Sequence, residues 1–123
     1  MRRYQLIDTL TYDLIDGAHV VGLARGDGTA NYMMFQRSPV GDPNDLGIYF
    51  EYDDQNNSGY NVIAACRVSQ KRIEIDFSKP FPTVNGILGI DADYQVDSVT
   101  FQCFIEGLKQ VFRNEEVKLS ISA

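Results

Sequence analysis

The stretch Leu46–Tyr60, LGIYFEYDDQNNSGY, decides our interpretation of the fold. Its second half, residues 54–59, is a polar run rich in amides and predicts a turn at the surface. Its first half alternates as a half-buried strand does. One face of that strand is formed by Ile48, Phe50 and Tyr52, and the other by Tyr49, Glu51 and Asp53.

Runs of strand-forming residues on both sides of this stretch predict an antiparallel meander. Gly26-Asp27-Gly28 separates two such runs and is typical of a hairpin turn. We expect the run after residue 59 to pair with the strand before residue 54. The predicted strands are residues 18–25, 31–37, 46–53, 60–68 and 71–77, with a strand and loop in 3–16, a loop at 38–45, irregular chain at 79–93, and short strands at 94–96 and 117–121.

One long helix is predicted near the C-terminus. Asp97 or Ser98 can cap it, and Gly107 inside it costs roughly 1 kcal/mol of helix stability, which fits a position where the helix approaches the sheet closely. The predicted class is therefore α+β, one domain over residues 1–123, with an antiparallel meander of about five to seven strands under a C-terminal helix. The apolar stripe of the helix is Phe101, Phe104, Ile105, Leu108, Val111 and Phe112.

The composition favours a protein partner. The chain carries 17 acids and 11 bases, a formal charge of −6, which argues against nucleic acid or an anionic membrane and for a basic surface on a partner. No apolar run approaches the ~20 residues of a membrane span, and the first ten residues lack the apolar core of a signal peptide. We expect a cytoplasmic protein with Cys66 and Cys103 as reduced core residues.

Residues suited to catalysis or metal binding are sparse. The one histidine, His19, has no partner in the sequence pattern that would make it a general base. The close acid pairs Asp53-Asp54 and Asp91-x-Asp93 lack the spacing of a calcium loop. We predict no cofactor, no metal and no enzymatic activity.

Charge placement leaves two interpretations open. No lysine or arginine lies between Arg37 and Arg67. The acids in that interval form either an ordinary solvated surface or a field that steers a basic partner. Likewise, the nearby tyrosines are either interface anchors or half-buried strand residues. The residues concerned are Asp42, Asp45, Glu51, Asp53 and Asp54, with Tyr49, Tyr52 and Tyr60.

Two strings, NYMMFQRS at residues 31–38 and LGIYFEYDDQNNSGYN at 46–61, resemble the immunity protein 10 family of bacterial polymorphic toxin systems. A strand like Lys71–Phe77 and a helix like Asp97–Phe112 follow in the same order, so the resemblance covers about residues 20–112. The chain departs from the family pattern in the loops at residues 38–45 and 79–93 and in the tail at residues 115–123. The matching residues are Asn31, Tyr32, Gln36, Arg37, Ser38, Leu46, Gly47, Tyr49, Asp54, Gln55, Ser58, Gly59 and Tyr60.

This resemblance implies an immunity protein that binds and neutralises a co-encoded toxin and has no enzymatic activity. The acidic charge adds the hypothesis that the toxin is a nuclease with a basic surface. A homodimer is compatible with that role. We predict partner binding by Tyr49, Glu51, Asp53, Asp54, Gln55, Asn57 and Tyr60.

Two alternatives remain at this point. One is a small enzyme in which Asp54 or His19 lines a pocket together with Gln36-Arg37-Ser38. The other is a homo-oligomeric structural module that pairs through a sheet edge. The Gln36–Ser38 set also has a structural interpretation, in which Arg37 pairs with Glu51 on a neighbouring strand and Ser38 begins a turn.

Overall fold

The computed structural model describes residues 1–29, 31–82 and 86–122. In these residues it contains ten strands and one α-helix near the C-terminus, which confirms the α+β class. The strands are β1 (Arg2–Ile7), β2 (Thr9–Ile15), β3 (Ala18–Ala24), β4 (Tyr32–Arg37), β5 (Tyr49–Tyr52), β6 (Asp54–Tyr60), β7 (Ile63–Val68), β8 (Arg72–Phe81), β9 (Ile87–Tyr94) and β10 (Leu119–Ile121); helix α1 is Ser98–Val111, and a 3-10 turn spans Glu116–Lys118.

The strands divide between two sheets rather than forming one meander. Sheet I has the order β2-β3-β4-β5-β6 and is antiparallel throughout. Sheet II has the order β1-β9-β8-β7-β10, and its two outer strands run parallel to their neighbours. The predicted hairpin at Gly26–Gly28 is confirmed, since β3 and β4 are antiparallel neighbours.

The core lies between the two sheets, with α1 filling one end of it. At the β5 end the sheets meet directly, and the ring centroids of Phe50 and Phe77 are 5.6 Å apart. At the other end Phe104 of α1 reaches Tyr94 of sheet II at 6.1 Å. Gly107 faces sheet I so closely that a Cβ there would lie 2.6 Å from Cγ of Tyr12, which explains a glycine inside the helix.

Both ends of α1 are held by side chains. Asp97 is the N-cap, and its carboxylate accepts a hydrogen bond from the Thr100 N–H at 2.7 Å. At the other end the buried guanidinium of Arg37 donates to the carbonyl of Val111 at 3.1 Å. Arg37 also forms ion pairs with Asp45 at 3.0 Å and with Glu115 at 2.9 Å. The predicted pairing of Arg37 with Glu51 is therefore wrong, and Arg37 caps the helix instead.

The predicted loop at residues 54–59 is wrong, because these residues form strand β6 at the edge of sheet I. The turn before it is tight: Asp53 has φ +62 and the register shifts between Glu51 and Tyr52. Polar residues suit an edge strand that is open to solvent. The predicted pairing of residues 60–68 with residues 46–53 holds only for Tyr60, which pairs with Tyr49; the rest is wrong, since β7 lies in sheet II.

Other boundaries also differ from the prediction. Residues 3–16 hold two strands, and the segment 79–93, predicted as irregular, contains the end of β8 and most of β9, with residues 83–85 outside the described part. The short strand predicted at 94–96 is only the end of β9. Cys66 is buried, and burial raises the pKa of its thiol. Cys103 is exposed on the polar side of α1, so its placement in the core was wrong.

Candidate functional site

The face of sheet I opposite α1, here called the outer face, brings together much of the predicted binding surface. Val21, Leu23 and Phe35 point inward and are fully buried. The residues that alternate with them point outward, as the pleat requires. Cross-strand register therefore gives two outer rows, Asp13–Val20–Gln36–Tyr49–Tyr60 and Thr11–Gly22–Met34–Glu51–Ser58.

Glu51 lies within the outer face, and its side chain is buried. Its Oε1 accepts a hydrogen bond from the Tyr49 hydroxyl at 2.6 Å, and its Oε2 accepts one from the Tyr32 hydroxyl. Burial and the hydrogen bond to Glu51 raise the pKa of both tyrosines, so their hydroxyls stay protonated donors at neutral pH. Among the described residues, no lysine or arginine forms an ion pair with this carboxylate.

Tyr60 extends the cluster to the edge of the sheet. Its ring meets that of Tyr49 edge-on, with centroids 5.3 Å apart and planes at 61°. Tyr60 is 49% exposed, so part of its ring faces solvent. Tyr49, Glu51 and Tyr60 are thus brought together by β5 and β6.

Asp53 does not share this face, contrary to the predicted alternation. The left-handed backbone at Asp53 breaks the period of two and turns the carboxylate toward β1. There it accepts hydrogen bonds from Gln5 Nε2 at 2.9 Å and from the Tyr32 N–H at 3.1 Å. It also forms an ion pair with Arg3 at 2.6 Å. Asp53 therefore joins the two sheets.

The remaining predicted residues line the edge strand β6. Asp54 and Gln55 are exposed, and Asn57 is half-buried. The Asp54 carboxylate accepts from the Asn56 N–H at 2.8 Å, and the Asn57 amide donates to the Tyr52 carbonyl at 3.1 Å. These contacts stabilise the edge, while Asp54 and Gln55 remain exposed to solvent.

The sequence reasoning missed residues of β3 and β4 that complete the outer face. Gly22 lines a shallow hollow of about 190 Å³ together with Tyr32 and Met34. Val20 and Gln36 continue the outer row toward Tyr49. The alternation in residues 18–25 and 31–37 could have predicted these outward-facing residues, because every second residue of a half-buried strand faces outward.

Charge on the outer face has one sign. In β2 to β6, all of whose residues the structure describes, the only lysine or arginine is Arg37, which points inward to the helix end. Asp13, Glu51 and Asp54 lie in the same strands. The strands of sheet I therefore place no lysine or arginine on the outer face.

Sheet II differs, because its exposed side neutralises its own charge. Arg2 forms ion pairs with Asp76 at 2.6 Å and with Asp91 at 2.7 Å. Arg67 also reaches Asp76, at 2.7 Å. Arg72 continues the network to Asp93 at 3.0 Å. Little uncompensated charge remains on this side of the molecule.

The side chains of the alternative enzyme site are divided between the two faces of sheet I, although His19 and Arg37 are cross-strand partners. Gln36 and Arg37 are consecutive strand residues on opposite faces of sheet I. His19 lies on the inner side, where its Nδ1 is 2.7 Å from the Tyr12 hydroxyl. Burial and then the positive charge of Arg113 lower the pKa of His19. Among the described residues, no group of three or more histidine, cysteine or acidic side chains could hold a metal ion.

The match to a known family covers most of this architecture. A family model described as immunity protein 10 matches residues 8–103, from β2 through β9 and into α1. The chain belongs to the immunity protein 10 family. Searches of curated proteins and of solved structures gave no match.

Membership of the family indicates an immunity protein, which implies binding to a cognate toxin and suggests a role without catalysis. In the part of the chain that the structure describes, no helix has the length and apolar character needed to cross a membrane.

Proposed function

We propose that this immunity protein neutralises a toxin encoded beside its own gene by binding the toxin directly through the outer face of sheet I. The observation that supports this most is the carboxylate of Glu51, buried beneath tyrosines on the sheet face opposite the helix. Aromatic residues around a desolvated polar group are typical of the energetic centre of a protein interface.

The charge of the chain supports a basic partner. The formal charge is −6, and the strands of sheet I carry no outward-facing lysine or arginine. Such a surface attracts a positively charged protein and raises its association rate. A nuclease fits this description, because its active site must hold phosphate groups. Blocking such a site from outside requires no chemistry from the immunity protein.

The tyrosines supply contact area. Tyr49 and Tyr60 form an edge-on pair at the rim, and Tyr32 lies on the neighbouring strand. Tyrosine gives a large, rigid, amphipathic surface and loses little conformational entropy on binding. The exposed groups of β6, Asp54 and Gln55, would form the polar rim of the same interface.

Co-expression with the toxin from the adjacent gene tests the proposal. The unchanged protein should protect growth and co-purify with the toxin. Gln36→Lys adds a positive charge inside the outer face, and we expect it to abolish protection. Ala64→Lys adds the same charge at an exposed position of β7 in sheet II and should leave protection intact. Absence of a complex with the unchanged protein, or equal protection by both variants, would contradict the proposal.

A further inference from the structure

Glu51 is a buried acid that has no charged partner among the described residues. Its side chain is 7% exposed, and its described partners are two neutral tyrosine hydroxyls. A carboxylate has about four lone-pair sites, so its two oxygens can accept further hydrogen bonds. A buried charge without a counter-charge costs free energy, which a cation from a binding partner would recover.

A hollow lies beside this carboxylate on the outer face. Gly22 lines it next to Thr11, whose Oγ1 would lie only 2.8 Å from a Cβ at position 22. Its volume is about 190 Å³, and its lining is mainly apolar. Tyr32 connects the two features, because it lines the hollow and donates its hydroxyl to Glu51. Met34 is the cross-strand neighbour of Glu51 and lies between them.

Two tyrosine rings, those of Tyr49 and Tyr60, lie in the neighbouring row of the outer face. The Tyr49 hydroxyl contacts the carboxylate, and the Tyr60 ring packs edge-on against Tyr49 at 5.3 Å. A cation above a tyrosine face is attracted by the ring quadrupole, more strongly when water is excluded. The acid, the rings and the apolar hollow together match a long, cationic, partly apolar side chain.

The geometry points to an arginine of the toxin as the group that this site receives. Its guanidinium donates to the Glu51 carboxylate and stacks on the tyrosines, while its methylene stem lies over Met34 toward the hollow at Gly22. Arginine suits the site better than lysine because its planar group can stack and donate in its plane at once. This inference rests on the proposed function and specifies the chemistry of the partner at that same face.

Dissociation constants with the co-encoded toxin test it. Glu51→Gln keeps the size and an acceptor oxygen but removes the charge, and we expect a loss of affinity of about 100-fold, as for other buried interfacial pairs. Glu106→Gln removes a charge from the exposed side of α1, away from the outer face, and should change affinity by about threefold or less. A thermal unfolding curve for each variant shows that it is folded.

The aromatic contribution is tested separately at Tyr60, which is exposed enough to change without disturbing the core. Tyr60→Leu removes the ring and should weaken binding by about fivefold, whereas Tyr60→Phe keeps the ring and should lose clearly less affinity than Tyr60→Leu. Double-mutant cycles between Glu51→Gln and single arginine or lysine changes in the toxin should give a coupling of about tenfold or more with one arginine.

Two results would overturn the inference while the proposed function stands. One is binding by Glu51→Gln within about threefold of the unchanged protein. The other is a coupling to Glu51 that falls on a lysine or on no toxin residue. Failure of the unchanged protein to bind the toxin would instead contradict the proposed function itself.

Discussion

The side-chain amide of Gln5 donates to the carboxylate of Asp53 at 2.9 Å, and this hydrogen bond joins sheet II to sheet I. Gln5 is buried, so its amide would have no solvent to replace that acceptor. The left-handed backbone of Asp53 is what aims the carboxylate at it. The turn between β5 and β6 is thus fixed by a contact with the first strand of the chain.

Asp53→Ala should lower the free energy of unfolding by about 2–4 kcal/mol, from an unpaired buried amide and from alanine in a left-handed conformation. Asp53→Asn keeps the acceptor oxygen and loses only the pair with the half-buried Arg3, so its cost should be smaller, about 1 kcal/mol. Urea unfolding measures both. Equal costs for the two variants would show that the contact with Gln5 contributes little.

Arg37 should matter for stability rather than for binding. Arg37→Met leaves Asp45 and Glu115 without their buried cation and the end of α1 without its cap, which should cost about 3–5 kcal/mol. Lys109→Met breaks an exposed pair with Glu106 and should cost under about 0.5 kcal/mol. Urea unfolding distinguishes them, and a small effect at Arg37 would contradict its role as the cap.

Much of this helix could be predicted from the sequence. Its apolar stripe and its Asp97 cap are local signals, and a period of 3.6 is hard to mistake over four turns. Its C-terminal cap was not predictable, because Arg37 is 74 positions from the carbonyl of Val111. Contacts of that range depend on the whole topology.

The division into two sheets also could not be predicted from the sequence. Alternation in residues 46–52 correctly predicted the inward face of β5, but it cannot say which strand is the neighbour. Residues 54–59 read as a loop because polar and amide residues are rare in central strands. An edge strand tolerates such residues, because one of its sides is open to solvent. The outer face was predicted through Tyr49, Glu51 and Tyr60, while Gly22 and Met34 entered only when the register was known.

His19 predicts a pH dependence near neutrality. Burial lowers the pKa of His19 in the folded protein, whereas in the unfolded chain its pKa is about 6.5. As the pH falls, the unfolded chain therefore binds a proton at this histidine before the folded protein does. Stability should therefore fall as the pH drops below about 6.5. His19→Gln removes this titration, so its melting temperature should change less between pH 7.5 and 5.5. Identical slopes for the two proteins would contradict the assignment.

The ion pairs of sheet II predict a second loss of stability at lower pH. The hydrogen bond from Arg2 lowers the pKa of Asp91, and the one from Arg67 lowers that of Asp76. Their stabilisation is present above the ordinary carboxylate pKa near 4 and is lost as the pH falls through the lowered values. Asp91→Asn should melt lower than the unchanged protein at pH 7, and the difference should shrink at pH 2. A constant difference would contradict this.

Hydroxyl-radical footprinting of the tyrosines, with and without the co-encoded toxin, tests most directly that the outer face of sheet I is the binding surface. Tyr60 of sheet I is 49% exposed and Tyr4 of sheet II is 54% exposed, so both react in the free protein. The proposal predicts strong protection of Tyr60 in the complex and unchanged reactivity of Tyr4. Protection of Tyr4 with Tyr60 still reactive would contradict it.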